Sequence, residues 1–118
     1  MGSAELKSAL QNADAVELTV TGRKSGQEST RPIWFVEDGD KVLLLPVGGK
    51  DANWFKNVQK TPTIGLAAGG ADAKVDAKPT TDSSAVEHAI EVFGAKYGAD
   101  RVKEYYPGAD AAVEVPLA

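Results

Sequence analysis

The chain has 118 residues, a length typical of one compact domain, and an ordinary composition that argues against intrinsic disorder. Its net charge of −4 disfavours nucleic acid as a partner, and one histidine with no cysteine leaves few ligands for a transition metal. No apolar stretch is long enough to span a membrane and no signal peptide is recognisable, so we expect a cytoplasmic protein.

The first half of the chain predicts one helix and three strands. A short helix is expected over residues 3–12. Alternating apolar and polar residues then indicate a strand over 16–21 with one buried face. A second strand over 28–37 and a third over 41–47 follow, and Asp38-Gly39-Asp40 between them is a hairpin signal.

The second half of the chain predicts three helices and three strands. Asp82 is a suitable N-cap for the longest helix, because its carboxylate can accept from a free backbone N–H group. Helices are expected over 51–59, 83–97 and 99–106, and strands over 63–68, 73–78 and 113–117.

Hairpins, rather than crossover helices, join most of these strands. Such connections favour an antiparallel sheet, and a sheet of this size tends to close because closure removes exposed edges. The predicted fold class is therefore α+β: a small antiparallel barrel of about six strands that carries two or three of the short helices.

The turn Gly22-Arg23-Lys24-Ser25-Gly26 is the first candidate ligand site. Phosphate recognition requires positive charge, hydrogen-bond donors and glycines that permit close backbone approach, and this turn offers all three. Arg31 on the next strand can add charge. The alternative is a solvated hairpin with ordinary surface cations, and the residues alone leave both interpretations open.

The segment Pro46-Val47-Gly48-Gly49-Lys50, followed by Asn53-Trp54-Phe55, is the second candidate. A Gly-Gly step lets backbone amides approach a ligand closely. The alternative is a plain strand-to-helix turn in which Trp54 and Phe55 belong to the core.

Three tyrosines, Tyr97, Tyr105 and Tyr106, lie at predicted helix ends. They are candidates for lining a substrate pocket or donating a proton, and simple amphipathic packing is the alternative. The single histidine, His88, falls off the apolar stripe of its helix and is interpreted as a surface residue. No nucleophile with a nearby base is recognisable, so the catalytic residue is unassigned and a bound cofactor is the better source of chemistry.

Four segments of the chain stand out together by their order and spacing: Leu18–Gln27, Arg31–Asp40, Gly48-Gly49 and Asn53–Val58. With them, the chain resembles the deazaflavin-dependent nitroreductase family over about residues 15–68. The resemblance implies a split β-barrel related to flavin-binding pyridoxamine-phosphate-oxidase-like proteins. It also implies an oxidoreductase that transfers hydride between coenzyme F420 and a small organic acceptor such as a quinone or nitro compound.

The same resemblance assigns three groups of cofactor-binding residues. The phosphate-contacting turn corresponds to Arg23, Lys24 and Ser25, the ring-facing surface to Pro32, Trp34 and the Gly48-Gly49 step, and the helix beside the cofactor to Trp54.

Two positions depart from the family's pattern. Val47 stands where relatives often carry a lysine before Gly-Gly, and Ser29 stands where they often carry an arginine. Arg31, two residues later on the same strand face, and Lys50, on the other side of Gly-Gly, are the expected substitutes.

Alternatives within the same fold are a protein that binds FMN or another ligand without turnover, and an interaction module whose cofactor site has decayed. A homodimer is also expected, because small split barrels bury little surface alone and relatives often dimerise.

Overall fold

The computed structural model describes residues 3–11 and 13–117. Within these residues it contains four α-helices, one 3₁₀ turn at Gly49–Asp51 and eight strands in two sheets. The helices are α1 (Ser3–Leu10), α2 (Asn53–Lys60), α3 (Ser83–Tyr97) and α4 (Ala99–Tyr105). The strands are β1 (Val16–Thr21), β2 (Glu28–Ile33), β3 (Val36–Asp38), β4 (Lys41–Leu44), β5 (Thr63–Ala68), β6 (Ala71–Asp76), β7 (Lys78–Thr80) and β8 (Ala112–Pro116).

Both sheets are antiparallel and have four strands each. The first has the order β2-β1-β5-β6, and the second has the order β3-β4-β8-β7. The alternation of apolar and polar residues in β1 determines which face of the strand points into the core. Val16, Leu18 and Val20 are buried, while Glu17 is exposed. The predicted α+β class and antiparallel barrel are confirmed.

The strand count is eight instead of about six because two of the predicted strands each divide where the chain passes from the first sheet to the second. The segment predicted as one strand over 28–37 divides at Trp34-Phe35, where the chain leaves the first sheet for the second. At this point the backbone N–H of Phe35 donates to the Tyr97 hydroxyl at 3.1 Å, and not to a neighbouring strand. Likewise, the N–H of Ala77 donates to the Pro62 carbonyl at 2.9 Å, between β6 and β7.

The apolar residues form two clusters on either side of the second sheet. The barrel core includes Phe35 and Phe55, both fully buried, and α1 and α2 contribute to it. The second cluster packs α3 and α4 against the outer face of the sheet around Phe93. Residues in the run 42–45 point alternately into the two clusters, which explains why four consecutive residues are buried.

The helices begin and end close to the predicted positions. The Asp82 carboxylate accepts from the Ala85 N–H at 3.1 Å, so the predicted N-cap of α3 is confirmed. All four candidate helices form, although the fold class was expected to carry only two or three. Among the described residues, no helix is both long and apolar enough to cross a membrane.

Candidate functional site

An apolar cavity of about 350 Å³ lies where β2 leaves the first sheet. It is built from four separate parts of the chain: the end of β2, the loop after β4, helix α2 and the end of α4. None of the side chains that line it is charged at neutral pH. They are Pro32, Ile33, Trp34, Leu45, Val47, Trp54, Tyr105 and Tyr106.

Six of the residues predicted from the sequence meet in this cavity: Pro32, Trp34, Val47, Trp54, Tyr105 and Tyr106. Val47 and Tyr105 are 63% and 48% exposed and therefore form its mouth. A cavity of about 360 Å³ on the outer face of the first sheet, lined by Thr19, Thr63 and Asp72 among others, has neither an aromatic side chain nor a predicted site residue. The apolar cavity is thus the better candidate site.

Three tyrosines surround the indole ring of Trp34. The Tyr97 ring is stacked on it, with centroids 4.2 Å apart and planes 8° apart. The Tyr105 ring meets it edge-on at 5.2 Å, and the Tyr106 ring is inclined to it at 6.4 Å. Tyr105 and Tyr106 line the cavity, whereas Tyr97 lies behind Trp34 and is absent from the lining.

The Tyr97 hydroxyl is bound to the backbone at the sheet change. It accepts from the Phe35 N–H, and its one proton is shared between the carbonyls of Phe35 and Asp14, each at 2.8 Å. Burial is the main cause that raises the pKa of this phenol.

Lys96 joins the same cluster, although the sequence analysis did not single it out. Its ammonium donates to the Phe35 carbonyl at 2.9 Å and lies 3.6 Å from the centroid of the Phe35 ring. Burial lowers the pKa of Lys96. Its position next to Tyr97 in the last turn of α3 was the only local signal for it.

Tyr106 is 7% exposed, and its environment raises the pKa of the phenol to about 12. Burial is the largest cause and the neighbouring Tyr97 the second; no hydrogen bond to a described residue lowers the value. Tyr106 therefore stays protonated, and able to donate a hydrogen bond, throughout the neutral range.

This raised pKa predicts how stability responds to alkaline pH. Because the folded-state pKa exceeds the value of about 10 for a free phenol, protonated Tyr106 stabilises the fold below about pH 10. That contribution is lost as the pH rises towards the folded-state pKa of about 12. In a near-ultraviolet titration of tyrosinate, Tyr106→Phe should lack one late step, and its free energy of unfolding should fall less between pH 9 and pH 11 than that of the parent. Identical titration curves for the parent and Tyr106→Phe would contradict the raised pKa assigned to Tyr106.

The turn over residues 22–26 is docked against α2. The backbone N–H of Arg23 donates to Asn57 Oδ1 at 3.1 Å, and its guanidinium donates to the same oxygen at 2.8 Å and to the Asn53 carbonyl at 3.3 Å. Lys60 Nζ donates to the Arg23 carbonyl at 3.0 Å. The turn is therefore fixed by α2, the helix that also carries Trp54, and is not a freely solvated hairpin.

The other polar residues predicted around this turn are exposed. Ser25 is exposed, and its Oγ accepts from the Gln27 N–H at 3.1 Å. Lys24 lies at the tip of the turn and faces solvent. Arg31 pairs with Leu18 of β1, and Ser29 with Val20, so both lie on the face that β1 turns towards the core. The predicted shared face of Ser29 and Arg31 is thus confirmed, and both side chains are exposed there.

The Gly-Gly step turns the chain between β4 and α2. Gly48 and Gly49 have φ angles of +90° and +65°, in the region that favours glycine. The Lys50 N–H donates to Asp110 Oδ1 at 2.8 Å, and a Cβ on Gly49 would collide with that carboxylate. Asp110, which the sequence analysis missed, therefore ties the loop that carries Val47 to the segment after α4. The Lys50 side chain itself is exposed.

Comparison with known proteins gives one family and a common fold. The family model described as F420H(2)-dependent quinone reductase matches residues 2–96. An F420-H2 dependent reductase is 22% identical, covering 86% of this chain and 93% of that chain, with a TM-score of 0.67. A structure described as a domain-swapped dimer is also 22% identical, covering 86% and 79% of the two chains, with a TM-score of 0.68. The heme storage protein of Vibrio cholerae is 15% identical, covering 100% of this chain and 92% of that chain, with a TM-score of 0.73. At these identities the structures establish a split-barrel fold.

Proposed function

Because the chain belongs to the F420H(2)-dependent quinone reductase family, we propose that its apolar cavity holds the deazaflavin ring of F420 beside a small uncharged acceptor, a quinone or a nitro compound. Family membership makes the chain an oxidoreductase that depends on F420H2. The observation that supports this place for the ring is the uncharged aromatic cavity, in which six residues predicted from separate segments meet.

The residues present fit the two chemically different parts of F420. A cavity of about 350 Å³ is near the lower end of ligand pockets, so it suits a planar ring system and leaves a long anionic tail outside. Pro32, Trp34 and Trp54 are proposed to contact the ring. When bound in its reduced form, F420 supplies a hydride.

Cations outside the cavity are proposed to hold the tail. Lys24 and Arg31 are exposed, and Ser25 lies beside Lys24 in the turn. Among the described residues only Nη1 of the Arg23 guanidinium has partners, so its other nitrogens can still contact a phosphate. The bonds from Arg23 to α2 keep this turn in a fixed position relative to Trp54.

The tyrosines are proposed to orient the acceptor. Quinone and nitro oxygens accept hydrogen bonds, and the Tyr106 phenol, with its pKa raised to about 12, remains a donor at neutral pH. The apolar lining would exclude water from the site, which protects a reactive hydride donor.

The experiment follows the visible absorbance of oxidised F420 as F420H2 is consumed by a neutral naphthoquinone, its sulfonate or a nitroaromatic. We expect kcat/KM for the neutral quinone to exceed that for the sulfonate by at least about tenfold, because a cavity without charged side chains penalises a buried anion by more than about 1.4 kcal/mol. Absence of turnover with every acceptor, or a spectral shift with FMN and none with F420, would refute the proposal.

We also propose that the protein forms a homodimer. Ser29, Arg31 and the other residues of β2 from 28 to 32 are exposed on both faces, and Val47 and Tyr105 are exposed apolar residues at the cavity mouth. The domain-swapped dimer of similar fold lends support. Sedimentation velocity tests this assembly; only monomer at about 100 μM would rule out a dimer with a Kd near 10 μM.

A further inference from the structure

Trp34 lines the cavity at a position between two strands that neither strand holds. Strand β2 ends at Ile33 and β3 begins at Val36, so the sheet ladder fixes neither the Trp34 backbone nor its ring. The ring is half-buried and lines the cavity. Something outside the two sheets must therefore fix its orientation.

Tyr97 contacts this segment in two ways. Its ring lies parallel to the Trp34 ring, 8° between planes and 4.2 Å between centroids, while the rings of Tyr105 and Tyr106 are inclined to it at 75° and 60°. Its hydroxyl binds both the N–H and the carbonyl of Phe35, the next residue. Of the three tyrosines, Tyr97 alone lies parallel to the indole, and this stacked contact constrains the plane of the Trp34 ring.

We propose that Tyr97 is a positioning residue that fixes the plane of the Trp34 ring without itself touching the ligand. Through Trp34 it sets the shape of the apolar cavity proposed to hold the deazaflavin ring. The functional part of this inference rests on the proposed function. The stack sets the orientation of the indole, whereas the hydroxyl and Lys96 hold the backbone of Phe35 at the sheet change.

Three variants separate the stack from the hydrogen bonds. Tyr97→Phe keeps an aromatic ring against Trp34 and loses the hydroxyl. Tyr97→Leu loses both. Lys96→Met is a control that loses another bond to the Phe35 carbonyl, together with the contacts of the ammonium with the Ala13 carbonyl and the Tyr97 ring, while both stacked rings remain. Chemical denaturation measures how much stability each variant loses.

The first readout needs no cofactor. Labelling with 5-fluorotryptophan gives one ¹⁹F signal for each of the two tryptophans, and the loss of one signal in Trp54→Phe assigns them. A ring stacked at 4.2 Å shifts the Trp34 signal. We expect that shift to persist in Tyr97→Phe and Lys96→Met, and to be lost with line broadening in Tyr97→Leu.

The second readout is the Kd of the deazaflavin ring fragment without its tail, measured by fluorescence. We expect a Kd about tenfold higher in Tyr97→Leu, and within about threefold of the parent in Tyr97→Phe and Lys96→Met. A merely structural role predicts that Kd follows stability in all three variants, and that result would overturn the inference. An unchanged Trp34 signal in Tyr97→Leu would also overturn it. If the parent binds no ring fragment, the proposed function fails, while the ¹⁹F signals still decide whether Tyr97 fixes Trp34.

Discussion

Replacing Lys24 and Arg31 together with alanine is expected to weaken F420 binding by more than about 100-fold. Each charge-assisted hydrogen bond to an anionic tail is worth about 1.5–3 kcal/mol, and 1.4 kcal/mol corresponds to a factor of ten. Both side chains are exposed, so stability should stay within about 0.5 kcal/mol of the parent. Fluorescence titration with F420 measures the affinity, which should also fall with added salt.

A control variant, Lys74→Ala with Lys78→Ala, removes the same net charge from β6 and β7. It should bind F420 within about threefold of the parent, because a general loss of charge acts weakly at a distance in salt. Arg23→Ala is expected to lower stability as well as affinity, since Arg23 also holds the turn to α2. Equal F420 affinity in the parent and the Lys24, Arg31 variant would end the tail-binding hypothesis.

Substituting alanine for Gly49 is expected to lower the free energy of unfolding by about 3 kcal/mol. The positive φ angle of +65° costs an alanine about 1–2 kcal/mol. The new Cβ would also displace the Asp110 carboxylate from the Lys50 N–H, and a hydrogen bond to a charged group is worth about 1.5–3 kcal/mol. Urea denaturation at equilibrium measures the effect.

Gly48 provides the matched control for this substitution. Its φ is +90°, but a Cβ there meets open space, so Gly48→Ala should cost only the backbone strain of about 1–2 kcal/mol. In an Asp110→Ala background, the cost of Gly49→Ala should fall to the same range, because no carboxylate is left to displace. If Gly48→Ala destabilises more than Gly49→Ala, the role assigned to Asp110 is wrong.

Much of the candidate site was predictable, because it depends on residue chemistry within short segments. The Gly-Arg-Lys turn and the Gly-Gly step were identified from adjacent residues, and the Pro-x-Trp strand end from the resemblance to a known family. What the sequence could not predict is that Arg23 binds Asn57, 34 positions away, and that Asp110 binds the N–H of Lys50, 60 positions away. Neither partner carries a local signal of its role.

The sequence by itself determined the antiparallel strands, the Asp82 cap and the lengths of the helices within a few residues. Backbone preferences and the spacing of apolar residues depend on near neighbours in the sequence, so they can be recognised before the fold is known. Only the tertiary structure decided that the strand predicted over 28–37 divides at Trp34-Phe35, and that Tyr97 supports Trp34 from behind instead of lining the cavity. That division depends on hydrogen bonds between Phe35 and a hydroxyl 62 residues later. Such contacts exist only after the chain has folded, because they follow from where two elements pack and not from the residues beside either one.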